Sequence, residues 1–176
     1  MSGDTAAELL LQHTRDVADF PKPGILFKDL TPLFMAPAAF EAVVQDIADR
    51  YRGKVDVVAG VEARGFIVGS PVALALGVAF VPVRKAGKLP GQVVSQEYDL
   101  EYGTATIEVH ADAFAEYPRV LVLDDVLATG GTAAAACTLV ERAGGGVTAV
   151  EMLLELGALE GRKLLSAYEL HVIASV

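Results

Sequence analysis

The segment Arg119-Val-Leu-Val-Leu-Asp-Asp-Val-Leu-Ala-Thr-Gly-Gly-Thr132 decides the fold. It opens with RVLVL, an apolar run of the kind buried on both faces of a parallel sheet. Two adjacent carboxylates, Asp124 and Asp125, follow at the end of the run, and the glycine-rich turn Ala128-Thr-Gly-Gly-Thr132 comes after them. An Ala-rich helical stretch then runs from Gly131 to Ala143 and stops at Gly144-Gly145-Gly146. In an open parallel sheet, ligands collect beyond the carboxyl ends of the strands. A glycine-rich turn at a helix N-terminus offers backbone N–H groups and the positive end of a dipole to an anion. Glycine lets that backbone approach closely, and Thr129 and Thr132 add hydroxyls. The acid pair does not suit phosphate. It suits sugar hydroxyls, or a magnesium ion touching them. The segment thus has the shape of a ribose 5-phosphate site. An ordinary strand–turn–helix crossover with a solvated acid pair is the competing reading, although adjacent like charges usually need a compensating partner. No GxxxxGK[ST] pattern occurs, which excludes a P-loop.

Outward from this segment, the pattern repeats. Val55 to Val61 and Val78 to Val83 are short apolar runs that read as buried strands, with a helix from about Gly65 to Leu76 between them. Pro37 to Tyr51 reads as a helix with proline in its first turn, and Ala6 to Val17 as an opening amphipathic helix. Prolines and a glycine in Asp19 to Asp29 point to a stiff loop. Leu89 to Tyr102 reads as a long polar loop, and Thr104 to His110 as a half-exposed strand. Val147 to Leu154 and His171 to Val176 complete the set. Alternating strands and helices imply an α/β fold: a mainly parallel central sheet flanked by helices.

The chain has 176 residues, 14 Lys+Arg against 23 Asp+Glu, and one Cys. That length fits one domain spanning 1–176, with a core hiding roughly two-thirds of the unfolded surface. One Cys excludes an internal disulfide and suits a reducing, cytoplasmic setting. The net charge of −9 disfavours nucleic acid and anionic membranes as partners. Prolines and glycines break the uncharged run Phe66 to Val83, so it does not read as a membrane span. No basic-then-apolar leader is expected at the N-terminus. The histidines His13, His110 and His171 show no metal-ligand spacing.

An anionic ligand for so acidic a chain demands a local basic cluster. Arg84-Lys-Ala-Gly-Lys88 supplies it directly after a strand, and a solvated basic turn is the plain alternative. Val58-Ala-Gly-Val-Glu-Ala-Arg-Gly-Phe66 also runs from strand to turn to helix, placing Arg64 at a second helix N-terminus suited to an anion. Phe20 to Asp29 can present fixed backbone groups and the Phe27 ring to a flat heterocycle, or merely plug the sheet edge. Glu101, flanked by Tyr98 and Tyr102, is a carboxyl whose pKa partial burial would raise, which suits proton exchange.

VLVLDDVLATGGT resembles the signature of the type I phosphoribosyltransferases, which bind 5-phosphoribosyl 1-pyrophosphate. FPKPGILFKD, GVEARGF, RKAGKLPG and YDLEYG stand in the same order and spacing as in the adenine-using members of that family. The resemblance spans about residues 19 to 146. It implies that Asp124 and Asp125 hold the sugar, that Ala128, Thr129, Gly130, Gly131 and Thr132 hold its phosphate, and that Arg64, Arg84, Lys85 and Lys88 face the pyrophosphate. It further implies that Leu26, Phe27 and Lys28 contact adenine within a hood built from residues 1–35. Glu101 becomes the acid/base candidate, and Tyr102 moves with a covering loop. A non-proline cis peptide is expected at Glu62-Ala63. The implied cofactor is Mg2+, carried mainly by the substrate, and the implied assembly is a homodimer. Lys28 departs from the arginine common in relatives. A hypoxanthine/guanine-type relative and a non-catalytic regulator that binds the same sugar pyrophosphate remain as alternatives.

Overall fold

A computed structural model describes residues 4–99 and 103–176. Its frame is a seven-stranded sheet. The strands are β3 (Val57–Val61), β4 (Ala79–Lys85), β5 (Val93–Asp99), β6 (Thr104–His110), β7 (Arg119–Leu127), β8 (Gly146–Glu155) and β9 (Leu170–Ser175). Their order is β5-β6-β4-β3-β7-β8-β9. The pairings from β4 through β3, β7 and β8 to β9 are parallel; β6 joins β4, and β5 joins β6, antiparallel.

Side-chain alternation explains why the central strands are nearly all apolar. Val58, Leu121 and Leu123 enter one core cluster, together with Val43 and Ile47 of α3 (Pro37–Tyr51) and Val68 and Val72 of α4 (Arg64–Leu76). Val57, Ala59, Val120 and Val122 enter the other, against Ala136, Leu139 and Val140 of α5 (Gly131–Arg142). A sheet covered on both faces has no solvent face to be polar. The expected α/β architecture is therefore present.

Three local expectations fail. The opening helix α1 (Ala6–Gln12) stops short of Val17. It begins at a capping box, in which Thr5 Oγ1 accepts from the Glu8 N–H and Glu8 accepts from the Thr5 N–H at 2.7 Å. It ends where the Thr14 hydroxyl donates to the Leu10 carbonyl at 2.7 Å. The chain then turns into β1 (Arg15–Ala18), which pairs antiparallel with β2 (Leu26–Asp29). This two-stranded ribbon carries a Lys28–Asp16 ion pair of 2.7 Å. The segment 19–29 is thus a loop only in its first part. A single turn of helix, α2 (Thr31–Phe34), leads from the ribbon into α3.

The third failure is the stretch 89–102, whose part Val93–Asp99 is strand β5, not loop. Its alternation is real: Val94, Gln96 and Tyr98 are half-buried while Ser95, Glu97 and Asp99 are exposed. Polar residues and the Pro90-Gly91 pair obscure that period in the sequence. Strand β7 also runs past Leu123 to Leu127, so Asp124 and Asp125 lie within it; Asp124 registers against Met152 of β8.

Candidate functional site

The chain leaves β3 for β4 on one side and β7 for β8 on the other, so the strand order reverses between β3 and β7. A crevice opens at the carboxyl ends there. Two helices start at it. Helix α4 begins at Arg64 after Ala63, and α5 begins at Gly131 after Gly130; neither has a capping side chain. Their first N–H groups are left for water or a ligand. The Glu62-Ala63 peptide between β3 and α4 is cis, as the resemblance implies.

A cavity of about 300 Å³ occupies the crevice. Asp124, Asp125, Ala128, Thr129, Gly130, Gly131 and Thr132 line it, together with Arg64 and Lys85. The acid pair is its floor. Asp125 is 4% exposed, and Arg64 Nε lies 2.6 Å from Asp125 Oδ2. The approach is not along an N–H bond, so Oδ2 is a buried oxygen with no hydrogen-bond partner among the described residues. Asp124 Oδ1 accepts the Asp125 N–H at 2.9 Å. Burial and the neighbouring Asp125 charge push the Asp124 carboxyl well above the usual carboxylate range. Burial also raises that of Asp125, with the Arg64 charge opposing. Adjacent like charges, one of them buried, call for a cation or hydroxyl donors.

Gly65 permits this closeness, because a Cβ there would stand 3.0 Å from Asp124 Oδ1 and from the Leu123 carbonyl. For the turn glycines the structure adds a second reason to the expected one. Gly130 has φ +85°, and a Cβ there would drive into the Gly161 carbonyl. A Cβ on Gly131 would face the Asp99 carbonyl at 3.4 Å. Gly130 is thus required by the turn and its backing chain, beyond any approach to an anion.

The basic cluster divides. Lys85 reaches the cavity, whereas Arg84 and Lys88 do not line it. Arg84 Nε donates to Glu62 at 3.2 Å, and the guanidinium lies 6.0 Å from the centre of the Phe66 ring. Glu62 also accepts the Lys85 N–H at 2.9 Å, which chiefly holds its carboxyl below the ordinary range. Glu108 accepts the N–H groups of Lys88 and Leu89, each at 3.0 Å. Burial alone would raise the Glu108 carboxyl, but backbone N–H groups of Leu89, Gly87 and Lys88 outweigh it, and its pKa is lowered. The loop is therefore tied down by two carboxylates. Sequence reasoning missed both; the signal was that acids beside a basic loop need a cationic or amide partner.

A second, apolar cavity of about 240 Å³ adjoins the first and shares Arg64, Val126 and Ala128 with it. Leu26, Phe27 and Lys28 line it, with Leu156 behind them. The Arg64 guanidinium lies 5.3 Å from the centre of the Phe27 ring, and Phe20 meets Phe27 edge-on at 5.1 Å. Val126 and Leu156 were not foreseen, since nothing in sequence links them to the β1–β2 ribbon. Tyr98 was foreseen only as a neighbour of Glu101. It lines the first cavity, and its phenol oxygen accepts from the Thr132 hydroxyl at 3.3 Å. Glu101 and Tyr102 lie outside the described residues.

Comparison with known proteins agrees with this geometry. Residues 35–170 match the phosphoribosyl transferase domain family. The chain is 52% identical to an adenine phosphoribosyltransferase of Thermobifida fusca over the full length of both. It is 58% identical to the Streptomyces coelicolor protein of that name, covering 88% of this chain and 86% of the relative. Its structure superposes on the adenine phosphoribosyltransferase of Thermoanaerobacter pseudethanolicus with a TM-score of 0.91 at 46% identity, over 97% of this chain and 99% of the other. The Saccharomyces cerevisiae enzyme, solved with an imino-altritol bisphosphate and adenine, gives 0.88 at 38% identity, over 96% and 98% of the two chains. With an acid pair between two uncapped helix starts, an apolar cavity beside them and relatives alike over the whole chain, this protein belongs to the adenine phosphoribosyltransferase family.

Proposed function

We propose that the chain transfers the 5-phosphoribosyl group of phosphoribosyl pyrophosphate to a ring nitrogen of adenine, giving AMP and pyrophosphate in purine salvage. The observation that carries this reading is the pair of uncapped helix N-termini facing one cavity across the Asp124–Asp125 pair, of which Asp125 is buried. The turn 128–132 anchors the 5-phosphate through backbone N–H groups and the Thr129 and Thr132 hydroxyls. Asp124 and Asp125 hold the ribose hydroxyls, and Asp125 Oδ2 has acceptor capacity to spare. Arg64 and Lys85 face the pyrophosphate, while Arg84 and Lys88 shape the loop that carries Lys85. The bond from the sugar to pyrophosphate breaks as the bond to the ring nitrogen forms, and Glu101 exchanges that nitrogen's proton. Fixed cationic and N–H donors stabilise the charge that builds on the leaving group, and orientation of two bound reactants removes much of the remaining barrier.

The base sits in the apolar cavity beside Leu26, Phe27 and Lys28, so the N-terminal 1–35 segment serves the same domain as the sheet. The acid pair also suits a hard cation. An all-oxygen donor set with one buried oxygen that accepts no hydrogen bond, Asp125 Oδ2 beside the Arg64 charge, fits Mg2+ brought in by the substrate. When bound, that ion neutralises charge on the pyrophosphate. The working unit is a homodimer. An apolar groove along Phe34, Phe40, Pro71 and Leu74 supports this, with Met35 77% and Leu74 82% exposed. A single buried, unpaired thiol, Cys137, accords with the reducing cytoplasm. No described helix is long and apolar enough to cross a membrane.

A turnover assay with adenine, hypoxanthine and guanine, with and without magnesium, tests the reading. Turnover of adenine alone, dependent on the metal, is expected. Equal use of hypoxanthine would overturn the base assignment. Light scattering that gives a monomer in the presence of substrate would overturn the dimer.

A further inference from the structure

We infer that Gly161 is a positioning residue for the phosphate turn: the 156–162 segment, clamped by Glu155 and Arg162, holds the backbone of residues 128–130 in its anion-binding shape from behind. The inference rests on the proposed assignment of that turn to the sugar phosphate.

The argument begins with space. Gly161 is buried, and a Cβ on it would drive into the Ala128 carbonyl and stand 3.0 Å from the Gly130 nitrogen. From the other side, a Cβ on Gly130 would drive into the Gly161 carbonyl. The two backbones therefore touch glycine to glycine, with no side chain between them. Residues this close cannot move independently. The approach of the second segment is itself enforced. Leu156 N–H donates to the Leu127 carbonyl at 2.9 Å, immediately before the turn. Arg162 Nε lies 2.8 Å from buried Glu155, which also accepts the Ser175 hydroxyl at 2.9 Å. Glu160, the residue before Gly161, has φ +52°, a conformation uncommon for a side-chain-bearing residue and kept where surroundings over-determine it. Leu165 plugs the following turn into the core. Glu155, Glu160, Gly161, Arg162, Leu165 and Ser175 do not line the anion cavity. Their effect reaches it only through the shape of the 128–130 backbone, whose N–H directions decide phosphate binding.

The test compares Gly161→Ala with wild type and with Gly157→Ala, whose added Cβ would meet only the Val176 carbonyl at 3.6 Å. Calorimetry measures ribose 5-phosphate binding, and steady-state kinetics measure KM for each substrate. Misplacement by a fraction of an ångström should weaken ribose 5-phosphate binding and raise KM for phosphoribosyl pyrophosphate by about tenfold or more, with a smaller rise in KM for adenine, whose cavity shares only Ala128 with the displaced turn. Gly157→Ala should match wild type. Should Gly161→Ala fail to fold, Arg162→Met removes the clamp at a half-exposed side chain, and a selective loss of roughly threefold or more is expected. Wild-type protein that does not bind ribose 5-phosphate overturns the underlying site assignment. Wild-type binding with an unaffected variant, or equal loss for both substrates, overturns the role of Gly161 alone.

Discussion

Asp125→Asn separates the chemistry of the acid pair from its place in the fold. The carboxylate is 4% exposed, faces Arg64 at 2.6 Å and keeps Oδ2 free of any hydrogen bond from the described residues. An amide at this position has one oxygen. It can turn that oxygen to Arg64 or to a ribose hydroxyl, so one charge-assisted contact is lost either way. A hydrogen bond to a charged group is worth about 1.5–3 kcal/mol. At about 1.4 kcal/mol per tenfold, kcat/KM for phosphoribosyl pyrophosphate should fall roughly 10- to 150-fold. Stability should respond differently. Removing one of two adjacent like charges relieves the repulsion that helps raise the Asp124 carboxyl. Arg64 loses its partner, but its side chain is 38% exposed and stays hydrated, so the pair contributes little once screened. The net change in folding free energy should lie within about 1 kcal/mol, a shift of a few degrees in Tm. Steady-state kinetics and a thermal melt on the same preparation provide the assay. A kcat/KM within threefold of wild type would refute the sugar clamp. A collapse in Tm with binding of phosphoribosyl pyrophosphate intact would make the pair structural.

Three further outcomes are expected. Glu101→Gln should lower kcat by about a hundredfold while KM for adenine changes little, as loss of a proton-exchange group requires; an unchanged kcat reduces Glu101 to a binding contact. Glu151 is buried beneath α3, where the Tyr51 hydroxyl donates to it at 2.8 Å and His171 Nδ1 lies at 3.0 Å. Burial raises its carboxyl above 4.5, against the pull of Tyr51, His171 and Arg50. Its contribution is thus fully present below that unfolded value and lost as pH rises through the raised one. The urea midpoint of wild type relative to Glu151→Gln should therefore decline with rising pH, and a difference that grows would contradict the sign. The Cys137 thiol is pushed up to about 12, first by burial and then by the Glu141 charge, so iodoacetamide at about pH 8 should leave the folded protein unlabelled. Stoichiometric labelling of folded protein would show that the helix opens.

The sequence alone determined the central strands and their helices, because a sheet covered on both faces demands short, valine-rich apolar runs bounded by turn residues. It also determined the glycine-rich turn 128–132 and the place of Arg64 at a helix start, since each lies within one short strand–turn–helix unit whose geometry is local. Tertiary structure decided what depends on distant segments. Residues 15–18 are a strand only because residues 26–29 pair with them. Strand β5 exists because β6 lies beside it. Glu62, just past β3, and Glu108 of β6 hold the basic loop, one pairing with the Arg84 guanidinium and the other accepting the Lys88 N–H, and neither partnership can be read from the basic run itself. The reason for Gly130 was likewise invisible in TGGT, because Gly161 stands thirty-one residues away and meets it only when β8 and β9 bring the backing turn into contact. Local propensity and motif spacing act over a few residues; carboxylate partners and backbone collisions are set by packing between elements, and the sheet order supplies them.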